Sequence, residues 1–302
     1  MASNEVNISG FMFIRDAIRL SYPVVPCIQS ILPVVDEFVV NVGPDEDGTL
    51  DLVQSIDDPK IRIVRSSWNP HMNTGALVYA QQTNIAMFNC IGRWAIYMQA
   101  DEIIHEDDHD LIRQNLSRYA DDPRVDGIAL REINFYGDGQ TIVSKATRRR
   151  RFWIIKPHHF VLSRGDAAGF TVHPKYKEAS RPLNVVDSEI RLFNYSAVVT
   201  PEQMRTKIER QQKRDWSDKS FNEENNDLYK MMPRQFVARY DGTHPAVMAD
   251  LLANHPVTMD LDSPGWRTQL TKKERKKAFK VWLARNVSER FIRPRHVRFV
   301  KP

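Results

Sequence analysis

Short apolar runs alternate with longer amphipathic runs through the first half of the chain. The apolar runs predict buried strands at 11–14, 37–42, 61–64, 94–98 and 127–135. Between them, apolar residues at helical spacing predict helices at 26–32, 50–55, 76–89 and 107–119. Alternating strands and helices favour right-handed crossovers, so the pattern predicts an α/β fold with a mostly parallel central sheet flanked by helices.

The apolar run that begins at Trp94 stops abruptly on Gln99, Ala100, Asp101 and Glu102. A buried strand cannot carry charge deep into a core, so acids at its end either meet solvent or hold a cation. Ligands of open α/β sheets gather beyond the carboxyl ends of the strands, where carboxylates suit a hard ion that bridges phosphates. The pattern predicts a nucleotide-sugar site, and a charged turn at the strand end is the competing interpretation.

The bulk composition excludes several classes of protein. At 302 residues and 42% hydrophobic content, the chain can bury a large core. Cys27 and Cys90 are its only cysteines, which rules out a disulfide framework and a cysteine-rich zinc site. No signal peptide is visible, and no apolar run reaches the roughly 18 to 20 residues that span a bilayer. We expect a cytoplasmic protein that is soluble or peripheral on the inner face of the membrane.

Positive charge is concentrated at the end of the chain. Residues 264–302 contain 13 Lys and Arg against two Glu. We predict a basic helical extension, 251–302, after a main domain, 1–250, and an amphipathic helix at 271–290. Such a helix suits an anionic membrane surface, although packing of its apolar stripe on the domain explains the pattern equally well. Nucleic acid ranks last as a partner, because the segment lacks interleaved stacking aromatics and DNA-binding motifs.

Seven blocks of the sequence, in order, resemble the family 2 glycosyltransferases of bacteria. The blocks are 8–15, 43–49, 99–102, 134–137, 163–170, 193–195 and 242–245. The resemblance spans about residues 8 to 248 and implies the GT-A fold. It also implies inverting transfer of a sugar from a nucleotide-diphosphate donor to a hydroxyl of a glycan or lipid-linked acceptor, in bacterial surface polysaccharide synthesis. The implied cofactor is Mn2+ or Mg2+.

The resemblance assigns roles to individual residues. Asp166 is expected to be the general base that takes the proton of the acceptor hydroxyl, although an Asp beside Gly165 also suits a simple turn. Asp101 and Asn194 are expected to ligate the metal, and Glu102 and Tyr136 to contact or orient the acceptor. The helix predicted at 201–212, which contains Lys207, is expected to close over the donor. The expected donor-binding residues are Phe11, Arg15, Asp45, Asp47, Gln99 and Asp101.

Four positions depart from the family pattern: Val42, Thr83, Gln99 and Asn194. Gln99 adds no negative charge beside Asp101, and Asn194 stands where relatives carry a metal-binding His, for which His173 is a possible substitute. These departures leave two alternatives open. The first is a catalytically weak or inactive relative that binds a nucleotide or a glycan. The second is an interaction protein that docks on a membrane through its basic tail.

Overall fold

The computed structural model describes residues 7–72, 74–143, 150–174, 179–215, 229, 232–286 and 297–301. Its first half alternates strands and helices as the sequence predicts. In chain order these are β1 (Ile8–Ile14), α1 (Val24–Ile31), β2 (Glu37–Val42), α2 (Thr49–Gln54), β3 (Ile61–Arg65), α3 (Leu77–Phe88), β4 (Trp94–Tyr97), β5 (Glu102–Ile104), α4 (His109–Tyr119) and β6 (Gly127–Tyr136). Each predicted element is confirmed to within a few residues.

The second half begins with strands, continues with helices and ends with a short strand. In chain order these elements are β7 (Asp138–Ile142), β8 (Arg150–Ile155), β9 (Val161–Arg164), β10 (Gly169–Val172), β11 (Leu183–Ala197), α5 (Pro201–Asp215), β12 (Ala238–Arg239), α6 (Ala249–Ala253), α7 (Lys272–Asn286) and β13 (Val297–Phe299). The predicted helix at 201–212 is therefore present and somewhat longer.

One mixed sheet organises the described part of the chain, in the order β12-β7-β6-β8-β4-β1-β2-β3. Strands β4, β1, β2 and β3 run parallel to one another. Strand β8 lies antiparallel between β4 and β6, and the long strand β11 runs parallel to β6. The predicted α/β fold with a mostly parallel central sheet flanked by helices is confirmed, and antiparallel strands extend the sheet beyond β4.

The core explains why the central strands form. Every residue of β2 and β4 is buried. Strands that are covered on both faces read as continuous apolar runs, which is the pattern of parallel α/β sheets. The helix α1 contributes its buried face, including Cys27, Ile28 and Ile31, to the same cluster. This core holds the carboxyl ends of the central strands in fixed register.

The end of the chain returns to the central sheet. Strand β13 pairs in parallel with the start of β11, placing Val297 beside Leu183, and Val297 is buried. The predicted boundary at residue 250 stays a prediction, but residues on both sides of it contribute strands to one sheet. Within the described residues, no helix combines the length and the apolar character needed to cross a bilayer.

Candidate functional site

The carboxyl ends of three parallel strands meet at one edge of the sheet. Ile14 of β1 pairs with Val42 of β2, and Phe11 of β1 pairs with Tyr97 of β4. The residues that leave these strands therefore emerge side by side. This register brings Arg15, the 43–49 turn and the Gln99–Glu102 turn to the same edge, where α/β sheets bind their ligands.

Strand β11 fixes the acidic turn from the other side. Glu102 and Asn194 are cross-strand partners in the antiparallel pair of β5 and β11. The backbone N–H of Tyr195 donates to the carbonyl oxygen of Asp101 over 2.8 Å. Asp101 is 8% exposed and Asn194 is 5% exposed. The structure thus brings together two residues that lie far apart in the sequence and were both predicted for the site.

Glu102 lies inside the protein, below the acidic turn. Its two carboxylate oxygens accept from the indole N–H of Trp153 over 3.1 and 2.9 Å, and one of them accepts from the backbone N–H of Gln99 over 3.0 Å. Burial is the main cause that raises the pKa of Glu102 to about 8, and the nearby carboxylate of Asp101 adds to the rise. Glu102 therefore supports the turn and does not face the edge.

A buried ion pair lies next to Glu102. The guanidinium of Arg151 donates to the carboxylate of Glu132, with an Nε···Oε1 distance of 2.8 Å, and packs over the ring of Trp153. Glu132 is completely buried, and its other oxygen, Oε2, has no hydrogen-bond partner among the described residues. Nothing in the sequence indicated this network, because charged residues in strands normally indicate solvent-facing positions.

Lys207 brings a positive charge towards Asp101. The side chain projects from α5 and is 6% exposed. Its ammonium donates to the carbonyl oxygen of Ser196 over 3.1 Å and lies 4.6 Å from the ring centroid of Tyr22. Burial lowers the pKa of Lys207, and the Asp101 carboxylate opposes that change. Burial likewise raises the pKa of Asp101, and Lys207 opposes it.

The protein donors do not by themselves make a site for Mn2+ or Mg2+. Such ions take about six oxygen ligands and favour carboxylates. Asp101 offers one carboxylate, and Asn194 offers one remaining lone pair on a neutral amide oxygen, which also accepts from the backbone N–H of Ser196 over 3.0 Å. Within the described ranges, no group of three or more His, Cys, Asp or Glu side chains is placed to hold a metal ion. His173 instead bonds the hydroxyl of Thr171 over 3.1 Å.

An aromatic cluster lies at the ends of β1 and β3. Phe13 stacks on Tyr79 with ring centroids 5.6 Å apart, and Trp68 packs against both rings. The guanidinium of Arg15 lies 5.4 Å from the Trp68 centroid. Gly43 permits this arrangement, because a Cβ there would stand 2.4 Å from the indole nitrogen of Trp68. Trp68 was not predicted for the site, because its only signal in the sequence is an aromatic residue three positions after a strand.

The two acids predicted for donor binding form the turn after β2. Asp47 accepts from the backbone N–H of Arg19 over 2.8 Å and from the Thr49 hydroxyl over 2.6 Å. These bonds lower its pKa despite the opposing effect of burial. One oxygen of Asp45 accepts from the Leu50 N–H over 3.3 Å, and the other is buried with no partner among the described residues. The Asp47 carboxylate therefore stabilises the turn, whereas the Oδ1 atom of Asp45 can still accept a hydrogen bond.

Phe11 and Tyr136 are predicted site residues that also make packing contacts inside the protein. Phe11 is fully buried and packs on the rings of Tyr97 and Phe170, so it lies beneath the site. The hydroxyl of Tyr136 donates to the carbonyl oxygen of Tyr229 over 3.0 Å. Tyr136 also packs beside a second, smaller apolar cluster that includes Tyr229.

Asp166 occupies the turn of the β9–β10 hairpin. Its side chain is exposed, and the flanking Gly165 and Ala167 have positive φ values of 58° and 59°. Within this hairpin, Phe170 packs edge-on against Trp153, with ring centroids 6.0 Å apart. The hairpin thus covers the sheet beside the Glu102 network and exposes Asp166 at its tip, free to meet a solvent-borne partner.

Comparison with known proteins identifies only distant likenesses. No protein-family model matches the chain, and none of the curated proteins matches it significantly. A structure of S. aureus TarS, residues 1–349, is 12% identical over 66% of this chain and 63% of that chain, with a TM-score of 0.40. Its complex with UDP is 16% identical over 44% of this chain and 37% of that chain, with a TM-score of 0.34. Its complex with UDP-GlcNAc is 18% identical over 44% of this chain and 36% of that chain, with a TM-score of 0.33.

The chain spans less than two thirds of the length of each of these TarS chains.

Proposed function

We propose that this chain is an inverting glycosyltransferase with the GT-A fold, which moves a sugar from a nucleotide-diphosphate donor to a hydroxyl of a glycan or lipid-linked acceptor. One observation supports this most directly. Asp101 is buried at the carboxyl end of β4, fixed by the Tyr195 N–H and paired through β5 with the strand that carries Asn194. Two of the sequence blocks typical of the family, 99–102 and 193–195, thereby meet at one edge of one sheet.

The surroundings suit the two parts of a donor. The rings of Trp68, Tyr79 and Phe13 provide a surface on which a nucleobase can stack, and such stacking tolerates any base. Arg15 stands at this surface, and the free oxygen of Asp45 can accept from a base or a ribose hydroxyl. The diphosphate then falls between the aromatic cluster and Asp101.

The proposed reaction is a single displacement. The acceptor oxygen attacks the anomeric carbon, the bond from that carbon to the diphosphate oxygen breaks, and its electron pair leaves with the diphosphate. The acceptor proton passes to a carboxylate, for which we propose Asp166, exposed on the hairpin that flanks the site. One displacement inverts the anomeric configuration.

Binding of nucleotides tests the donor site. We expect one of UDP, GDP, CMP or dTDP to raise the unfolding temperature of the wild-type protein, since a ligand of the native state stabilises it. Asp101→Asn should lose that shift, and Asp57→Asn, a change of an exposed acid after α2, should keep it. A protein that binds none of the four nucleotides would contradict the proposal.

A catalytically weak relative is the second candidate, because the Asn194 oxygen already serves Ser196 and Val42 is buried in the core. Such a protein would bind a nucleotide or glycan but would release no nucleotide when given donor and acceptor. Measuring nucleotide release against binding, in the same preparation, separates the two candidates.

An anionic membrane surface is the partner that we propose for α7. Phe279 and Trp282 are 59% and 55% exposed and stack on each other, with centroids 6.1 Å apart. Exposed lysines, among them Lys276 and Lys280, accompany the aromatic pair. Aromatic rings together with lysines favour the interface of an anionic bilayer. The remainder of the predicted helix, 287–290, lies outside the described residues.

A further inference from the structure

Two lysine side chains are buried among the described residues, Lys156 and Lys207. Their immediate surroundings are alike. The Lys156 ammonium donates to the carbonyl oxygen of Asp122 over 2.8 Å and lies 4.9 Å from the ring centroid of Trp94. Lys207 has the corresponding carbonyl and aromatic ring at 3.1 and 4.6 Å. One carbonyl and one ring are therefore the common means by which this fold holds a buried ammonium.

The two lysines differ in position and in charged neighbours. Lys156 lies at the amino end of β4, beside Trp94, and three acids on its own side of the sheet raise its pKa against the effect of burial. Lys207 lies near Asp101, beyond the opposite end of the same strand, and the Asp101 carboxylate raises the pKa of Lys207. Burying an ammonium costs free energy unless a nearby anion compensates its charge. The buried position of Lys207 therefore favours a site that holds an anion.

The helix that carries Lys207 borders the proposed donor site on two sides. It follows directly from β11, which contains Asn194, and packs against residues 74–76, the turn that precedes α3. An ammonium has three N–H donors, and the described contacts of Lys207 use one of them, on Ser196. Because the ring of Tyr22 covers another side of the ammonium, one donor remains for an oxygen of a ligand between α5 and the acidic turn.

We propose that the Lys207 ammonium provides the positive charge that binds the donor diphosphate, in place of a divalent metal ion. The inference rests on the proposed function and adds how its leaving group is stabilised. The two observations that carry it are the misfit of the Asp101 and Asn194 donors to a divalent ion and the buried ammonium beside Asp101. As the bond to the anomeric carbon breaks, negative charge accumulates on the diphosphate oxygens, and N–H donors of Lys207 stabilise it.

Calorimetric titration in the presence of EDTA tests this assignment. UDP, GDP, CMP and dTDP are titrated into wild-type protein with EDTA, and again with Mn2+ in place of EDTA. We expect one nucleotide to bind with nearly the same affinity in both conditions. In EDTA, Lys207→Met should bind that nucleotide about tenfold more weakly or worse, because a hydrogen bond to a charged group is lost. Lys207→Arg should retain part of the affinity.

Lys156→Met is the matched control, since it removes the other buried ammonium from the far end of β4. It should leave nucleotide affinity unchanged even if it lowers the unfolding temperature. Binding that appears only with Mn2+, or equal binding by Lys207→Met and wild type in EDTA, would overturn the inference and leave the proposed function standing. Absence of binding in every condition would overturn both.

Discussion

The indole N–H of Trp153 donates to both carboxylate oxygens of Glu102, at 3.1 and 2.9 Å, in the interior of the protein. This contact joins the acidic turn after β4 to the antiparallel strand β8 next to it. The carboxylate is completely buried, and its neighbours include the acids Asp101 and Glu132. Burial and these two neighbouring acids therefore favour the protonated form of Glu102, although Arg151 and Trp153 favour the charged form.

Glu102 should make the stability of the protein depend on pH. Its pKa is raised from 4.5 to about 8 in the folded state. Between these values the folded protein holds a proton that the unfolded chain has released, so the free energy of unfolding falls as pH rises, by about 1.4 kcal/mol per pH unit. The stabilisation is complete below pH ~4.5 and is lost as pH passes about 8.

The measurement is urea denaturation of wild type and Glu102→Gln at several pH values from 5 to about 9. The neutral amide has no such dependence, so Glu102→Gln should gain stability relative to wild type as the pH rises. Glu189→Gln, which changes an exposed glutamate on β11, should track the wild type. Parallel curves for wild type and Glu102→Gln would show that Glu102 is not protonated in this range.

The sequence predicted the central strands well because both of their faces are buried. A strand such as β2 has no exposed face, and its bounds, Glu37–Val42, coincide with those predicted from the sequence. Strand β11 is different, because it mixes buried and exposed positions over 15 residues and pairs with β5, β6 and β13 in different parts. Pairing of this kind depends on contacts between distant segments, which a local pattern cannot encode.

The local sequence pattern likewise predicted only some of the polar groups of the site. The acidic turn was visible because charge ended an apolar run. Lys207 lies in a helix rich in charged residues, so its pattern indicates solvent, and only the packing of α5 on the end of β11 buries it. Glu132 and Arg151 likewise sit on separate strands that meet only in the folded sheet.

Asp166 should be needed for transfer but not for donor binding. Asp166→Asn removes the proposed proton acceptor, and loss of a general base typically slows a reaction by about 10²- to 10⁴-fold. Because the side chain is exposed at a hairpin tip, the fold should be unaffected. Nucleotide affinity and the rate of nucleotide release with acceptor are measured side by side.

Asp57→Asn is the control for that experiment, as another exposed acid in a turn. If Asp166→Asn turns over like wild type, the hairpin acid is only a turn former and another carboxylate takes the acceptor proton. If nucleotide affinity falls together with the rate, Asp166 contacts the donor instead.

Trp68 should contribute to the affinity for the nucleobase. Trp68→Ala removes the ring that packs on both Phe13 and Tyr79, and loss of one stacking ring costs about 1 to 3 kcal/mol of binding free energy. Gly43→Ala should act in the same direction, because its Cβ would stand 2.4 Å from the indole nitrogen. Titration calorimetry measures both. Trp282→Ala, which changes an exposed indole on α7, is the control and should bind nucleotide as the wild type does. If Trp68→Ala and Gly43→Ala also bind nucleotide with wild-type affinity, the base binds elsewhere.

The basic helix α7 should bind anionic vesicles through its exposed aromatic pair. Its amino end is fixed by a capping box, in which the Thr271 N–H donates to Glu274 over 2.8 Å and the Glu274 N–H donates to the Thr271 hydroxyl over 3.2 Å. Arg267 pairs with the same glutamate. Truncation is a poor test, since removing the end of the chain also removes β13 from the central sheet. Point variants on the exposed face are therefore preferable.

Sedimentation with phosphatidylcholine vesicles, with and without phosphatidylserine, measures this binding. The double variant Phe279→Ser and Trp282→Ser should lose most of it, and each of Lys276→Gln and Lys280→Gln should weaken it about fivefold, as expected for ~1 kcal/mol per lysine near an anionic surface. Phe88→Ser, at a phenylalanine 67% exposed at the end of α3, controls for loss of a surface ring. Because all these side chains are exposed, the free energy of unfolding should stay within about 0.5 kcal/mol of wild type. If vesicle binding survives the double variant but is lost with Phe88→Ser, the membrane meets α3 and the charge on α7 serves another anion.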